Sequence, residues 1–356
     1  MMTKICIFNG DMSRGGGTER ITQALANCLI DELDVTVLNL NNDAGISYFP
    51  LHENVRFHIL KKKKVYEKIL ELVRYLRRNR FEVLIDVDIM LGIYALPALA
   101  FCPKTKLISW EMFNLRNNIG SKHTELIRKI CLRRSAYYVN QTKGDMEAFQ
   151  REMPVRCPIT YIHNPCEYDK EYDGYDVDSK VIVTAGHFYY TKGYDLAIET
   201  AKLVFEKHPD WKWHFYGDGK ELERCKTKVR KYKLENNVIF CGRTNDIITE
   251  YKKAAMYVMT SRTEGFGLVL TEAKACNLPT LAFDCEFGPR EIIEDGKSGY
   301  LVPAFEITQM ADRICELIDN KEKRIVFAEH AGDNLDQFST EAFKRQWICV
   351  IKKCIA

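Results

Sequence analysis

The chain has 356 residues, 46% of them hydrophobic and 28% charged, with a net charge of +3. That length exceeds the usual single core and predicts two domains, while the balanced charge excludes a general nucleic-acid-binding surface. Its thirteen cysteines are scattered singly, odd in number and without a CxxC pair, which excludes a disulfide framework or cysteine zinc site and fits a reducing cytosol.

The chain opens on "KICIF", a short apolar run that predicts a strand with no signal peptide before it. The glycine loop "NGDMSRGGGTER" (Asn9–Arg20) follows, then a helix whose core face carries Ile21, Leu25, Cys28 and Leu29. "DVTVLNL", "VRFHIL", "FEVLID", "TKLISW" and "AYYVN" read as further strands, with helical patterns between most of them. The longest apolar run, "IMLGIYALPALAFC" (Ile89–Cys102), contains Gly92 and Pro97 and falls short of the about twenty residues a spanning helix needs. It is expected to be a buried helix.

Periodicity stops over the acidic, tyrosine-rich "CEYDKEYDGYDVDS" (Cys166–Ser179), which reads as a linker. Alternation then resumes with "KVIVTAG", "YDLAIETAKLVFEKH", "WKWHFYG", "KELERCKTKVRKY", "NVIFCG", "AAMYVMT" and "LPTLAFD". Continuous apolar strands separated by helices predict parallel sheets covered on both faces. The expected architecture is two doubly wound, Rossmann-like α/β domains facing each other across a cleft, at 1–170 and 171–340. An amphipathic helix at 341–356 is expected to pack back on the first domain.

Ligands of such sheets bind at the carboxyl ends of the strands, where the informative loops fall. In the first loop, Gly15, Gly16 and Gly17 allow close backbone approach, and the helix start behind them favours an anion. The loop lacks the Lys-Ser/Thr of a P-loop and the GxGxxG of a dinucleotide fold, and the second strand ends in "NLNN" without an acid for a ribose. A dehydrogenase or ATPase is therefore disfavoured. "TAGHFYYTKGYD" (Thr184–Asp195) opens the second half in the same way, with His187 and Lys192 placed to meet phosphate. "YGDGKE" (Tyr216–Glu221) is a third glycine turn at a strand end.

The stretch "TEGFGLVLTEAKAC" (Thr263–Cys276) holds Glu264 and Glu272 around two glycines. A loop over Gly265–Gly267 with a helix from Leu268 aims the amides of Gly267, Leu268 and Val269 at an anion. Ionised carboxylates accept only, so the two glutamates suit hydroxyl donors. Amides for a diphosphate, flanked by two hydroxyl-binding acids, describe a nucleotide-sugar. Plainer readings stand beside this one: a tight turn, a solvated lysine, two helix-surface glutamates, or a two-carboxylate glycosidase.

"EGFGLVLTEA" resembles the E-x7-E signature of retaining glycosyltransferases of family four, which have the GT-B fold. "GHFYYTKGYD" resembles that family's G-R-x4-K-G loop, "GGGTER" its N-terminal glycine loop, "YIHNP" the junction closing its first domain, and "FDCEFGPREIIEDGKSGYLV" the segment after the signature. The resemblance runs through nearly the whole chain in order. It implies an N-terminal acceptor domain and a C-terminal nucleotide-sugar domain. Glu272 is then expected at the ribose hydroxyls and Glu264 at the donor sugar, with backbone around Phe266, Gly267 and Leu268 at sugar and phosphates. Lys192 would neutralise the departing diphosphate, with Gly16 and Gly17 closing on it. No metal or other cofactor is expected.

Two positions depart from the family pattern. His187 stands where the family usually has arginine, exchanging a bidentate cation for a single donor. Where many relatives place a histidine near the donor sugar, this chain reads "SWEMFN", and Glu111 is expected by the reaction centre, with a helix-capping or salt-bridged acid as the plainer reading.

Residues 54–80 carry ten basic side chains against two acidic ones, with Ile69, Leu72, Val73 and Leu76 forming an apolar stripe. That pattern suits either an anionic membrane surface or the buried face of an ordinary helix. The resulting expectation is a retaining hexosyl- or N-acetylhexosaminyltransferase using a UDP-sugar and a saccharide acceptor, often lipid-linked in the family. It would work in the cytoplasm or peripherally on the inner membrane face, in cell-surface polysaccharide synthesis. The alternatives are a GT-B epimerase or phosphorylase, and a non-catalytic nucleotide-sugar-binding module.

Overall fold

The computed structural model describes residues 2–117, 123–167 and 174–356, so residues 168–173 of the expected linker lie outside the described residues. The chain divides into two units, Met1–Pro165 with Thr340–Ala356, and Cys166–Ser339.

In the first unit seven strands form a parallel sheet: β1 (Lys4–Asn9), β2 (Asp34–Asn39), β3 (Arg56–Ile59), β4 (Val83–Val87), β5 (Lys106–Trp110), β6 (Tyr137–Asn140) and β7 (Ile159–Tyr161). Their order is β3-β2-β1-β4-β5-β6-β7, with Ile5 opposite both Val35 and Val83. All five residues of β4 are buried, as expected of an apolar run covered on both faces. The three-residue β7 is too short to show periodicity in the sequence.

Helix Gly17–Leu29 buries Ile21, Leu25 and Leu29. Helix Val65–Asn79 buries Leu72, Val73 and Leu76 in a core with Leu84, Ala95 and Leu107, and Ile69 packs against it. The apolar stripe of 54–80 is thus spent on the fold, because the sheet face beside it needs an apolar cover. One of the ten cations is also internal: Lys68 is 5% exposed and donates to the Leu40 carbonyl and to Asn41. The run Ile89–Cys102 forms a 3-10 turn (Ile89–Leu91) and a helix (Gly92–Ala100) with Pro97 inside. Among the described residues no helix is long and apolar enough to cross a membrane.

The last helix, Thr340–Ile355, belongs to this same unit. Trp347 meets Trp110 edge-on at 4.6 Å, and Phe343 lies 6.1 Å from the same indole. Three buried aromatics thus tie the end of the chain to β5.

The second unit holds β8 (Val181–Ala185), β9 (Lys212–Tyr216), β10 (Val238–Gly242), β11 (Met256–Met259), β12 (Thr280–Asp284) and β13 (Gly299–Pro303), a parallel sheet ordered β10-β9-β8-β11-β12-β13. Helices Tyr194–Lys207 and Ile307–Asp319 contribute to one core, and Leu268–Ala275 to a second. β13 and the helix Ile307–Asp319 go beyond the elements read from the sequence. In each sheet the strand order reverses once, between β1 and β4 and between β8 and β11. Those reversals open the crevices where doubly wound sheets take their ligands.

Candidate functional site

At the β8/β11 crevice two loops are pressed together by glycine. After β8 the chain makes a 3-10 turn, Tyr190–Lys192, and passes into the next helix through Gly193 at φ 64°. A Cβ on Gly193 would lie 1.9 Å from the Thr260 carbonyl oxygen at the end of β11, so only glycine allows this approach. Thr260 Oγ1 donates to the Gly193 carbonyl at 2.9 Å, and the Arg262 amide to the Thr191 carbonyl at 2.7 Å. Arg262 then grips Asp195 through two bonds of 2.7 Å.

This clamp carries Lys192 to Glu264. The ammonium donates to both carboxylate oxygens at 2.8 Å, and Ser261 Oγ donates to Oε1 at 2.6 Å. Glu264 is 6% exposed and the Lys192 side chain 32%, so the carboxylate is sunk and the cation reaches the surface. A small cavity beneath is lined by Thr184, Tyr194, Tyr257 and Met259. The two residues read from sequence as serving different parts of a ligand are therefore direct partners.

Gly267, at φ 104°, turns the chain into helix Leu268–Ala275, the loop-to-helix switch expected from the sequence. A Cβ on Gly288 would stand 2.3 Å from the Phe266 carbonyl, so a second glycine backs this loop. Phe266 itself is 2% exposed and packs edge-on against Phe338 at 5.4 Å, which leaves its backbone rather than its ring at the site. Glu272 is 5% exposed, one turn into the helix.

His187 lies at the outer end of the same loop. Its Nδ1 is 3.7 Å from Asp218, whose other oxygen takes the Arg243 guanidinium at 2.8 Å. Gly217 has φ 128°, and a Cβ there would come 1.9 Å from the Gly186 carbonyl, so the loops after β8 and β9 touch through backbone. Sequence reading found neither Arg243 nor Ser261, and took "YGDGKE" only as a turn. Asp218 within it was the available signal.

In the first unit the glycine loop is occupied by its own side chains. A Cβ on Gly15 would meet the Tyr48 ring at 2.9 Å, and one on Gly16 would meet Glu19 Oε2 at 2.6 Å. Gly16 is the N-cap of helix Gly17–Leu29, and the Glu19 carboxylate, three residues on, accepts from the Gly16 amide. This is one half of a capping box, and it places a resident anion at the helix start. Burial raises the Glu19 carboxyl above its ordinary range despite those bonds. Gly17 faces open space.

Glu111 is not at a surface. It is fully buried, with Arg128 Nε 2.8 Å and the Tyr138 hydroxyl 2.9 Å from Oε2, and Arg128 Nη2 and the Phe113 amide on Oε1. Arg128, 1% exposed, also donates to the carbonyls of Asn114, Leu115 and Asn117. The expectation of a reaction-centre acid is replaced by a buried ion pair that staples the chain after β5, since every oxygen direction is taken by protein donors. Directly after β4 stands Asp88, an acid that the sequence reading did not single out. Its backbone has φ 104°, rare for a side-chain-bearing residue, it caps the following turn by accepting from the Met90 amide at 2.9 Å, and burial pushes its carboxyl up to about 6.

Among the described residues no group of three or more His, Cys, Asp or Glu side chains is arranged as metal ligands.

Residues 169–333 match the family model "Glycosyl transferases group 1". The chain is 28% identical to the amylovoran biosynthesis glycosyltransferase AmsD of Erwinia amylovora and 27% identical to an uncharacterized glycosyltransferase of Haemophilus influenzae, each over 97% of this chain and 99% of the relative. Its fold matches S. aureus TarM, solved as a mutant in complex with fondaparinux, alpha-GlcNAc-glycerol and UDP, at a TM-score of 0.84 and 16% identity, covering 98% of this chain and 100% of that one.

Proposed function

We propose that this chain, a group 1 glycosyltransferase of the GT-B fold, transfers a hexosyl or N-acetylhexosaminyl group from a UDP-sugar to a saccharide acceptor with retention of anomeric configuration. The observation that carries this reading is the Lys192–Glu264–Ser261 cluster at the β8/β11 crevice, beside a glycine-led helix start. In it Lys192 and the first amides of helix Leu268–Ala275 meet the diphosphate, Glu264 the donor sugar's hydroxyls, and Glu272 the ribose. Negative charge grows on the departing diphosphate in the transition state, so a fixed ammonium and oriented amides lower the barrier selectively. The bond between the anomeric carbon and the bridging phosphate oxygen breaks as the acceptor oxygen bonds to the same face, and the acceptor's proton passes to that leaving phosphate oxygen. No side chain is assigned as nucleophile, and the reading needs no metal. His187 gives the phosphate one donor, so Lys192 carries most of the neutralisation.

The relative named for amylovoran synthesis supports a place in cell-surface polysaccharide assembly. A lipid-linked acceptor fits the face of helix Val65–Asn79 that the fold leaves uncovered. There Val65, Tyr66 and Leu70 are each half exposed or more, among exposed Lys61–Lys64, Arg74 and Arg78. UDP is expected to raise the melting temperature, and one UDP-sugar to be turned over with a glycan acceptor. No shift with UDP and no release of UDP from any UDP-hexose would sink this reading.

A further inference from the structure

The turn that delivers Lys192 also exposes two consecutive aromatic rings. Tyr189 is 46% and Tyr190 61% exposed. Adjacent exposed rings on a loop ordinarily lose hydrophobic stabilisation and gain nothing in return. Here both are held. The Arg262 guanidinium lies 4.0 Å from the Tyr190 ring centroid, and the Asp195 carboxylate fixes that guanidinium in turn. The Tyr190 carbonyl accepts from Arg262 Nη1 at 2.9 Å and from the Gly193 amide at 3.2 Å. The Tyr189 ring stacks on His187, with centroids 5.5 Å apart and planes 29° from parallel, and its carbonyl accepts from the Lys192 amide at 2.9 Å. Each tyrosine thus has a cationic or imidazole backing while remaining about half exposed.

We propose that Tyr189 and Tyr190 form a stacking platform for a pyranose ring, a saccharide subsite continuous with the Lys192–Glu264 pair. A pyranose presents an apolar C–H face and a rim of hydroxyls. A flat, fixed phenol ring matches the first, and the polar groups around it (the Arg262 guanidinium, His187 and the tyrosine hydroxyls) match the second. Fixing the rings beforehand removes the ordering cost that mobile side chains would add on binding. Continuity with the site is direct, since Tyr190 and Lys192 share one 3-10 turn. The platform rests on the proposed nucleotide-sugar site, and the ring it takes belongs either to the donor or to the acceptor.

The test uses the full chain, with Tyr189→Ala, Tyr190→Ala, their double variant and Tyr190→Trp. Melting shifts are read with UDP, with UDP-glucose and with UDP-N-acetylglucosamine. Binding of methyl α-D-glucopyranoside and methyl N-acetyl-α-D-glucosaminide is read by saturation-transfer NMR in the presence of UDP. The shift caused by UDP alone is expected to stay unchanged in every variant. If the ring is the donor's, the alanine variants lose the extra shift of a UDP-sugar over UDP. If it is the acceptor's, they lose the methyl glycoside signals, with affinity about tenfold weaker, and Tyr190→Trp restores them. Variants that keep both effects overturn the platform, and so does loss of the UDP shift itself, which would mark the rings as a stack for the base or a support of the fold. A wild-type chain that ignores UDP yet yields glycoside signals dependent on the two tyrosines would instead overturn the nucleotide-sugar site and leave the platform standing.

Discussion

The ammonium of Lys192 lies 2.8 Å from both carboxylate oxygens of Glu264, seventy-two residues further along the chain. The contact joins the loop after β8 to the loop after β11, across the point where the strand order reverses. A pair in that position fixes the lysine while leaving about a third of its side chain open to a ligand.

Glu264→Gln keeps the side-chain size and removes the charge. UDP is expected to go on raising the melting temperature, because the helix-start amides and Lys192 remain. Turnover of the best UDP-sugar should fall by about a hundredfold or more, in line with the loss of one oriented polar group at a reacting centre. Unchanged turnover with a good acceptor would remove Glu264 from the site.

Gly193→Ala sets a methyl group where the Thr260 carbonyl oxygen stands, at a backbone φ of 64°. The loop must move or strain, at a cost of roughly 1–3 kcal/mol, and Lys192 must leave Glu264. The expected result is a lower melting temperature together with a smaller UDP shift. Calorimetry with and without UDP reads both.

Glu111→Ala leaves the Arg128 guanidinium buried without its counter-charge. Such a loss costs about 3–5 kcal/mol. Glu111→Gln, which still accepts from Arg128 and Tyr138, should cost less. Lys192, Glu272 and the amides of helix Leu268–Ala275, the groups proposed to meet UDP, lie in the other unit, so the folded fraction of either variant should bind UDP as wild type does. A Glu111→Ala protein with normal stability and lost turnover would restore Glu111 to the chemistry.

Lys274 is fully buried, its ammonium 3.0 Å from the Ser298 hydroxyl, and burial lowers it from 10.5 to about 8. A lysine depressed in the folded state binds fewer protons there than in the unfolded chain between pH 8 and 10.5. Stability from this group therefore rises with pH across that window and is lowest below it. Lys274→Met should raise stability at pH 7, by at most about 3 kcal/mol, and flatten the alkaline rise. Melting curves from pH 7 to 10 compare the two proteins.

The alternation of apolar runs and helical faces was legible because each element's local pattern is decided by a sheet covered on both sides. Failures were of two kinds. A very short element such as β7 holds too few residues to display a period, and a lone amphipathic stripe does not say what covers it. Leu72, Val73 and Leu76 would form the same stripe against lipid as they do against the first unit's own sheet.

Within the site, glycine and charge spacing in sequence marked Glu264, Gly267 and Glu272 on one loop-to-helix stretch and Lys192 on another, since the residues that shape a single strand-end loop are neighbours in the chain. What sequence could not decide was pairing. Ser261 and Lys192 on Glu264, Arg262 on Asp195, Arg243 on Asp218 and Arg128 on Glu111 are contacts between separate segments. Local chemistry names the charges, but only the packing of strands and loops decides which opposite charge each one reaches, and whether water reaches it first.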